Sequence, residues 1–272
     1  MKKTLCFLAL LFSFTLSKGQ QSFLFKINYL PNHIYVSNER SETQMRFSDV
    51  GAKKGEHNSQ SLTQMFSDET TLNMTTGRIN NTQAFPVVMK FDYVKMEMNG
   101  SPVNAFFKDD LIAGNIIGEY KYGELKIDSI PNLPVDSFSV KKTMIIINAI
   151  QKNIDFPKQA LYINDSFQLK TKFTLMTQTE SEFNINVTYS LKNIKNGNAY
   201  FDIKESADNE NSEFLKNLRL ACEGTGQMVF DITNNVITDY NLTTKVKYTP
   251  GGGSGNIEVK SDVINHTSVA TQ

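Results

Sequence analysis

Few residues of this 272-residue chain have the types and spacing that catalysis or metal binding requires. The three histidines, His33, His57 and His266, are far apart, and none belongs to a His-x-His or His-x-x-x-His pair. Transition-metal sites usually draw on closely spaced ligands of this kind. We therefore interpret the histidines as surface or structural residues, and we expect neither a metal nor a cofactor.

Cys222 is the cysteine most relevant to chemistry, because Cys6 lies in an apolar N-terminal run. A catalytic thiolate needs a histidine or a positively charged setting, and no histidine lies near Cys222 in the sequence. The residue follows Leu220 and Ala221. We therefore interpret it as a small apolar side chain.

Two pairs of carboxylates stand out, Asp109-Asp110 and Glu180/Glu182. Glycoside hydrolysis needs two carboxyl groups about 5–10 Å apart across a cleft, which proximity in sequence does not establish. The glycine-rich run at 252–256 matches neither the Gly-x-Ser-x-Gly nucleophile turn nor a phosphate-binding loop that ends in Lys-Ser/Thr. We therefore assign no catalytic, metal-binding or cofactor-binding residue.

Composition narrows the class of protein. Twenty-eight basic residues balance 28 acidic ones, and 40% of the chain is hydrophobic. A chain with these values is too apolar for intrinsic disorder. It also lacks the basic excess that favours nucleic acid as a partner.

The first 19 residues have the layout of a secretory signal peptide. Lys2-Lys3 precede an apolar run from Leu5 to Leu16, and Ser17 and Gly19 provide small residues before cleavage near Gln20. This run is too short for a stable membrane-spanning helix. We therefore expect export to the periplasm or the extracellular space.

A bacterial lipoprotein would carry a cysteine directly after the small residues of its leader. Cys6 lies inside the apolar run instead, so we expect no lipid anchor. No second apolar segment approaches 18 residues, so we also expect no transmembrane span.

The remaining chain alternates apolar and polar residues with the period of half-buried strands. The clearest segments are 23–29, 167–175, 183–191 and 236–248. One solvent-exposed face and one buried apolar face are typical of antiparallel sheets. We therefore predict a mainly β, β-rich α+β fold of curved antiparallel sheets or half-barrels.

Turn residues support this fold class. Asn196-Gly197 is typical of a type I′ hairpin turn, and Thr233-Asn234-Asn235 separates two further strand patterns. Between Phe85 and Met98 the apolar residues change face after Tyr93. This change predicts either a β-bulge near Tyr93 or a strand that passes between two layers.

One or two short helices are also expected. The segment 136–153 is the main helix candidate, although its β-branched residues also allow a buried strand, and 205–219 is the second. A recurring strand, Asn-Gly and Gly-x-φ-x-φ-Asp pattern suggests two similar halves, 20–134 and 135–272. Chance similarity among many strands is the alternative.

Several landmarks resemble an uncharacterised family of exported β-rich proteins from Bacteroidota. They are Tyr29-Leu30-Pro31 with Ile34-Tyr35, Gly123-x-Leu125-x-Ile127-Asp128, Phe156-Pro157 before 163–167, and Gly224-x-Gly226-x-Met228-x-Phe230-Asp231. The chain departs from that family at 163–167, where a glycine before the Asp and a tryptophan after the Ser are more usual. The resemblance implies β-rich architecture and export, and it carries no activity or catalytic residues.

These observations favour an exported, non-catalytic binding or structural component of the bacterial envelope. One form of this hypothesis is a carrier whose Phe, Met and Ile side chains hold an apolar or lipid-like ligand, or the partner is an envelope protein. The alternative is a hydrolase that acts on envelope or extracellular polymers. An apolar cavity open to solvent would favour the carrier, and acids that converge in a cleft would favour the hydrolase.

Overall fold

The computed structural model describes residues 22–48, 61–103, 114–129, 157–176, 180–207, 219–249 and 256–272. Within these ranges the strands, in chain order, are β1 (Ser22–Phe23), β2 (His33–Ser48), β3 (Leu62–Thr76), β4 (Ala84–Met98), β5 (Ser101–Pro102), β6 (Ile116–Lys121), β7 (Glu124–Ser129), β8 (Leu161–Tyr162), β9 (Ser166–Met176), β10 (Glu180–Lys195), β11 (Asn198–Ala207), β12 (Arg219–Asp231), β13 (Val236–Thr249) and β14 (Asn256–Thr271).

The predicted mainly β fold is confirmed. Twelve of these strands form one open antiparallel sheet with the order β7-β6-β4-β3-β2-β14-β13-β12-β11-β10-β9, and β5 pairs only with β4. Strands β1 and β8 form a separate two-stranded sheet. The main sheet buries one face, as the alternation of apolar and polar residues predicts.

The structure tests part of one of the two helix predictions and none of the other. The segment 136–153 lies outside the described residues. The prediction over 205–219 is wrong at its ends, because 205–207 continue β11 and Arg219 begins β12. Residue 205 pairs with Gly224, so the ladder between β11 and β12 extends into the charged segment. The rest of that segment lies outside the described residues.

A single pairing joins the two ends of the chain. Strands β2 and β14 pair along all 16 residues of each, from His33 with Thr271 to Ser48 with Asn256. Strands β2–β7 lie on one side of this seam and β9–β14 lie on the other. The segments 20–134 and 135–272 therefore contribute to one continuous sheet, and their origin by duplication stays a prediction.

The hairpin predictions are confirmed. Asn196 and Gly197 have φ angles of 52° and 77°, as a type I′ turn requires, and they connect β10 to β11. The predicted turn at 233–235 connects β12 to β13, and Asp231 Oδ1 accepts hydrogen bonds from the backbone of Thr233 and Asn234.

The irregularity predicted near Tyr93 is a β-bulge. Thr71 pairs with Tyr93 and Leu72 pairs with Phe91, so Asp92 is the extra residue of β4. The apolar residues up to Phe91 and those from Val94 onward consequently face the same core. A bulge also increases the local twist and bends the strand.

The N-terminal segment departs from the sequence prediction. Its apolar residues are directed inward as expected, but only Ser22–Phe23 form a strand, and residues 24–30 cross the inner face of the large sheet. Phe25 packs against Phe167, Phe201 and Phe230 with ring centroids 4.7–5.5 Å apart. Burial of these side chains against the large sheet, and not backbone pairing with a neighbouring strand, therefore holds most of this segment in place.

Asn28 shows how strongly the sheet curls. Its backbone N–H donates to Asn235 O at 3.0 Å, and its side-chain oxygen accepts from the Tyr120 hydroxyl at 3.1 Å. Asn235 precedes β13 and Tyr120 belongs to β6, which would lie about 24 Å apart in a flat sheet. The sheet must curve inward for a single residue to contact both.

We expect Phe25→Ala to lower the free energy of unfolding by about 3–5 kcal/mol, because it removes a fully buried ring from an aromatic cluster. Leu24→Ala is the matched control, since Leu24 is 53% exposed and should change stability by no more than about 0.5 kcal/mol. Urea unfolding of both variants measures the difference. Equal effects would show that the N-terminal segment does not anchor the inner face.

Candidate functional site

A cavity of about 580 Å³ lies on the inner face of the sheet, over the seam between β2 and β14. Side chains from β2, β3, β4, β7, β13 and β14 line it. Ile27 and Tyr29 of the crossing segment lie against it as well. The cavity is thus built from both halves of the chain.

Strand register explains its polar side chains. Glu39 pairs with Asn265 and Ser37 pairs with Thr267 across the seam, so all four project from the inner face. Thr70 and Asp68 follow the same alternation on β3. We call these six residues the polar floor: Ser37, Glu39, Asp68, Thr70, Asn265 and Thr267.

Strand β4 provides most of the apolar wall on one side of the floor. Its bulge keeps four cavity residues on one face: Met89, Phe91, Val94 and Met96. Leu72 and Met74 of β3 extend this wall. On the other side of the seam lie Val236, Ile237 and Tyr240 of β13. The cavity therefore combines apolar walls with a compact polar surface.

Hydrogen bonds link the four members of the polar floor on β2 and β14. Asn265 Nδ2 donates to Ser37 Oγ at 3.0 Å and to Glu39 Oε2 at 3.4 Å. Thr267 Oγ1 donates to Asn265 Oδ1 at 3.2 Å. The register of β2 and β14 thus holds these groups in place before any ligand enters.

Burial raises the pKa of Glu39 above its usual value of 4.5. The nearby carboxylate of Asp68 raises it further, and the hydrogen bond from Asn265 acts in the opposite direction. The hydrogen bond from Asn265 therefore offsets only part of the free energy that burial of the Glu39 carboxylate costs.

A second polar group continues from the floor toward β11. Burial raises the pKa of Tyr240, and the Tyr189 hydroxyl with which it hydrogen-bonds contributes to the shift. Burial also raises the pKa of Glu205, which accepts a hydrogen bond from Thr244 Oγ1. This chain of polar side chains crosses the inner face between apolar clusters.

The residues that the sequence singled out lie elsewhere. His33 Nδ1 contacts Pro31 O at 2.7 Å, and His266 Nδ1 contacts Asp239 Oδ1 at 2.8 Å on the exposed outer face. Cys222 packs near Val246, and burial raises its pKa to about 11, so the thiol is protonated at neutral pH. It behaves as a small apolar side chain would.

The other candidates contribute no described side chain to the cavity. His57, Asp109-Asp110 and residues 252–255 lie outside the described residues. Glu180 and Glu182 belong to the backbone of β10, where they pair with Met176 and Thr174. Among the described residues no three His, Cys, Asp or Glu side chains group as metal ligands. Likewise, no helix within the described ranges is long and apolar enough to span a membrane.

Sequence reasoning missed the polar floor. Its signal was available in β2, where Ser37, Glu39, Ser41 and Thr43 alternate with residues that are also polar. Between Ser37 and Thr43 this strand therefore has no apolar face to bury. Only the register with β14 shows that these residues point inward.

We expect Glu39→Gln to raise the stability of the protein at neutral pH. The folded chain holds the Glu39 proton more tightly than the unfolded chain, so stability falls as pH rises from about 4.5 through the raised folded pKa. The variant lacks this titration, and its advantage over the native protein should grow with pH across that window. Chemical denaturation at a series of pH values measures it.

Glu42→Gln is the matched control, because Glu42 lies on the exposed face of the same strand and pairs with Arg40. Its effect should be small, as exposed ion pairs contribute little. A Glu39→Gln protein that is less stable than the native one at neutral pH would contradict the electrostatic account.

The chain has a fold similar to that of a solved protein. A structure reported under the description "Lipid-protein interactions in lipovitellin" matches 90% of this chain with a TM-score of 0.50 and 13% sequence identity. The match covers 26% of the lipovitellin chain. No protein-family model and no curated protein sequence matches this chain. At this level of identity the similarity concerns the fold alone.

Proposed function

We propose that this protein is a non-catalytic carrier that binds an apolar, lipid-like ligand in the cavity above the β2–β14 seam. The cavity itself is the observation that carries this proposal. Protein interiors are close-packed, and voids much larger than a water molecule are few. A volume of about 580 Å³ falls within the range of small-molecule sites, which is about 300–1,000 Å³.

The composition of the cavity supports the same function. Most of its described lining is apolar, with Met, Phe, Leu, Val and Ile side chains around a small polar floor. Ligand sites commonly combine hydrophobic walls for affinity with a few placed polar groups for orientation. A role as a filled structural core would not require the space.

The likeness to lipovitellin is a second support, because that structure is described by its lipid–protein interactions. Since this chain spans about a quarter of the lipovitellin chain, the proposal concerns ligand binding in the sheet and no other property of that protein.

Export to the bacterial envelope is part of the proposal. It rests on the charged, apolar and small-residue order of residues 1–19 and on the resemblance to exported proteins from Bacteroidota. An exported carrier gives an apolar cavity a physical use, because lipid-like molecules need protection from water between membranes.

The hydrolase remains the alternative, since Glu39 and Asp68 do share the cavity. We favour the carrier because most of the described lining is apolar, which suits a lipid-like ligand better than a polar polymer. Turnover of ester or glycoside substrates that is lost in both Glu39→Gln and Asp68→Asn would support the hydrolase instead.

We expect Val263→Trp to reduce binding of a neutral apolar naphthylamine dye by about tenfold or more, because the indole occupies the cavity. The chain has no native tryptophan, so the introduced indole is also the sole tryptophan reporter. Its emission should be shifted to shorter wavelength relative to an exposed indole. Dye titration and emission spectra measure the two effects.

Ile264→Trp is the matched control, because Ile264 is the next residue of β14, lies on the outer face and is 56% exposed. This variant should bind the dye as the native protein does. Equal dye binding by both variants, with both folded by circular dichroism, would contradict the proposal. Mass spectrometry of an organic extract of the purified protein tests it independently, through a lipid that co-purifies.

A further inference from the structure

The charged residues that line the cavity indicate which head group its ligand carries. Glu39 and Asp68 are the carboxyl groups of the polar floor. None of the described residues that line the cavity is lysine, arginine or histidine. The ligand-facing surface therefore carries negative charge without a cation of its own in this part of the chain.

Nearby cations face away from the cavity. Arg40 is paired with Glu42 on the outer face of β2, and Lys260 is paired with Asp262 on β14 at 2.7 Å. On β4, Lys95 is paired with Glu97 at 3.0 Å. Residues 40, 95 and 260 are exposed, and each already has a carboxylate partner at the next-but-one position of its own strand.

Among the described residues, the hydrogen-bond partner of Glu39 on the inner face is a weak one. The Asn265 amide donates to it at 3.4 Å, close to the upper limit for a hydrogen bond. Asp68 adds a like charge from β3, and both residues lie beside the apolar wall of β4. A positive group placed on this floor would therefore interact favourably with two partly buried carboxylates.

We infer that the cavity binds a single-chain amphiphile with a cationic amine head group, which lies on the polar floor while the apolar tail lies along the β4 wall. This inference rests on the proposed carrier function. An ammonium donates several hydrogen bonds and neutralises charge. A fatty-acid carboxylate or a phosphate would instead place further negative charge beside Glu39 and Asp68. A neutral alcohol would donate one hydrogen bond and leave the charge uncompensated.

Three ligands of equal chain length test the inference: dodecylamine, dodecanol and dodecanoate. Each ligand is titrated against the full chain with the neutral naphthylamine dye bound, at about pH 7. The concentration of each ligand stays below its own critical micelle concentration, and loss of dye fluorescence measures its binding. We expect the amine to bind about tenfold or more tightly than the carboxylate, with the alcohol between them. Dodecanoate that binds as tightly as dodecylamine would overturn the inference.

Substitutions at the floor identify the residues responsible. Glu39→Gln and Asp68→Asn keep the shape of each side chain and remove its charge, so each should narrow the ratio of amine to carboxylate affinity while dodecanol binding changes little. Glu42→Gln on the outer face should leave the ratio unchanged. A ratio that both floor variants leave unaltered would also overturn the inference.

The outcomes separate this inference from the proposed function. If neither the dye nor any of the three ligands binds the native protein, the carrier function fails. If all three bind with similar affinity, the carrier function stands and the preference for a cationic head group fails.

Discussion

The structure depends on how a wide antiparallel sheet covers its own apolar face. Eleven strands lie in one continuous order, and in the described residues no second large sheet packs against them. The sheet therefore curls, and the segment 23–30 crosses the face that curling leaves open. Burial of Phe23, Phe25 and Tyr29 supplies the hydrophobic free energy that holds this segment down.

Both ends of this crossing segment are fixed by specific contacts. Phe25 lies in an aromatic cluster with β9, β11 and β12. At the other end the Leu30 N–H donates to the Tyr35 hydroxyl, and the buried Thr76 hydroxyl donates to Leu30 O. The segment thus spans the seam between the two halves, and it covers the inner face only along its own path. The cavity is the part of the inner face beside that path.

The polar floor is costly for stability and useful for binding. Glu39 has a raised pKa because burial penalises its charged form. A protein with an apolar residue at this position would be as stable or more stable. Polar groups at the centre of an apolar cavity gain a physical role if they orient a ligand, which connects the electrostatics of the seam with the carrier function that we propose.

Local pattern alone determined much of this protein. The alternation of residues predicted the antiparallel strands, and Asn196-Gly197 predicted its hairpin. The change of face after Tyr93 predicted a bulge or a strand between two layers, and the structure has the bulge. Period and turn chemistry are properties of neighbouring residues, so a local pattern can show them. Tertiary structure alone decided that residues 24–30 leave the ladder, that β2 pairs with β14, and that Glu39 meets Asn265 inside a cavity. The pairs between β2 and β14 join residues more than 200 positions apart. Glu39 also lies in a part of β2, residues 37–43, that is polar on both faces, so no local signal specifies which face is buried there.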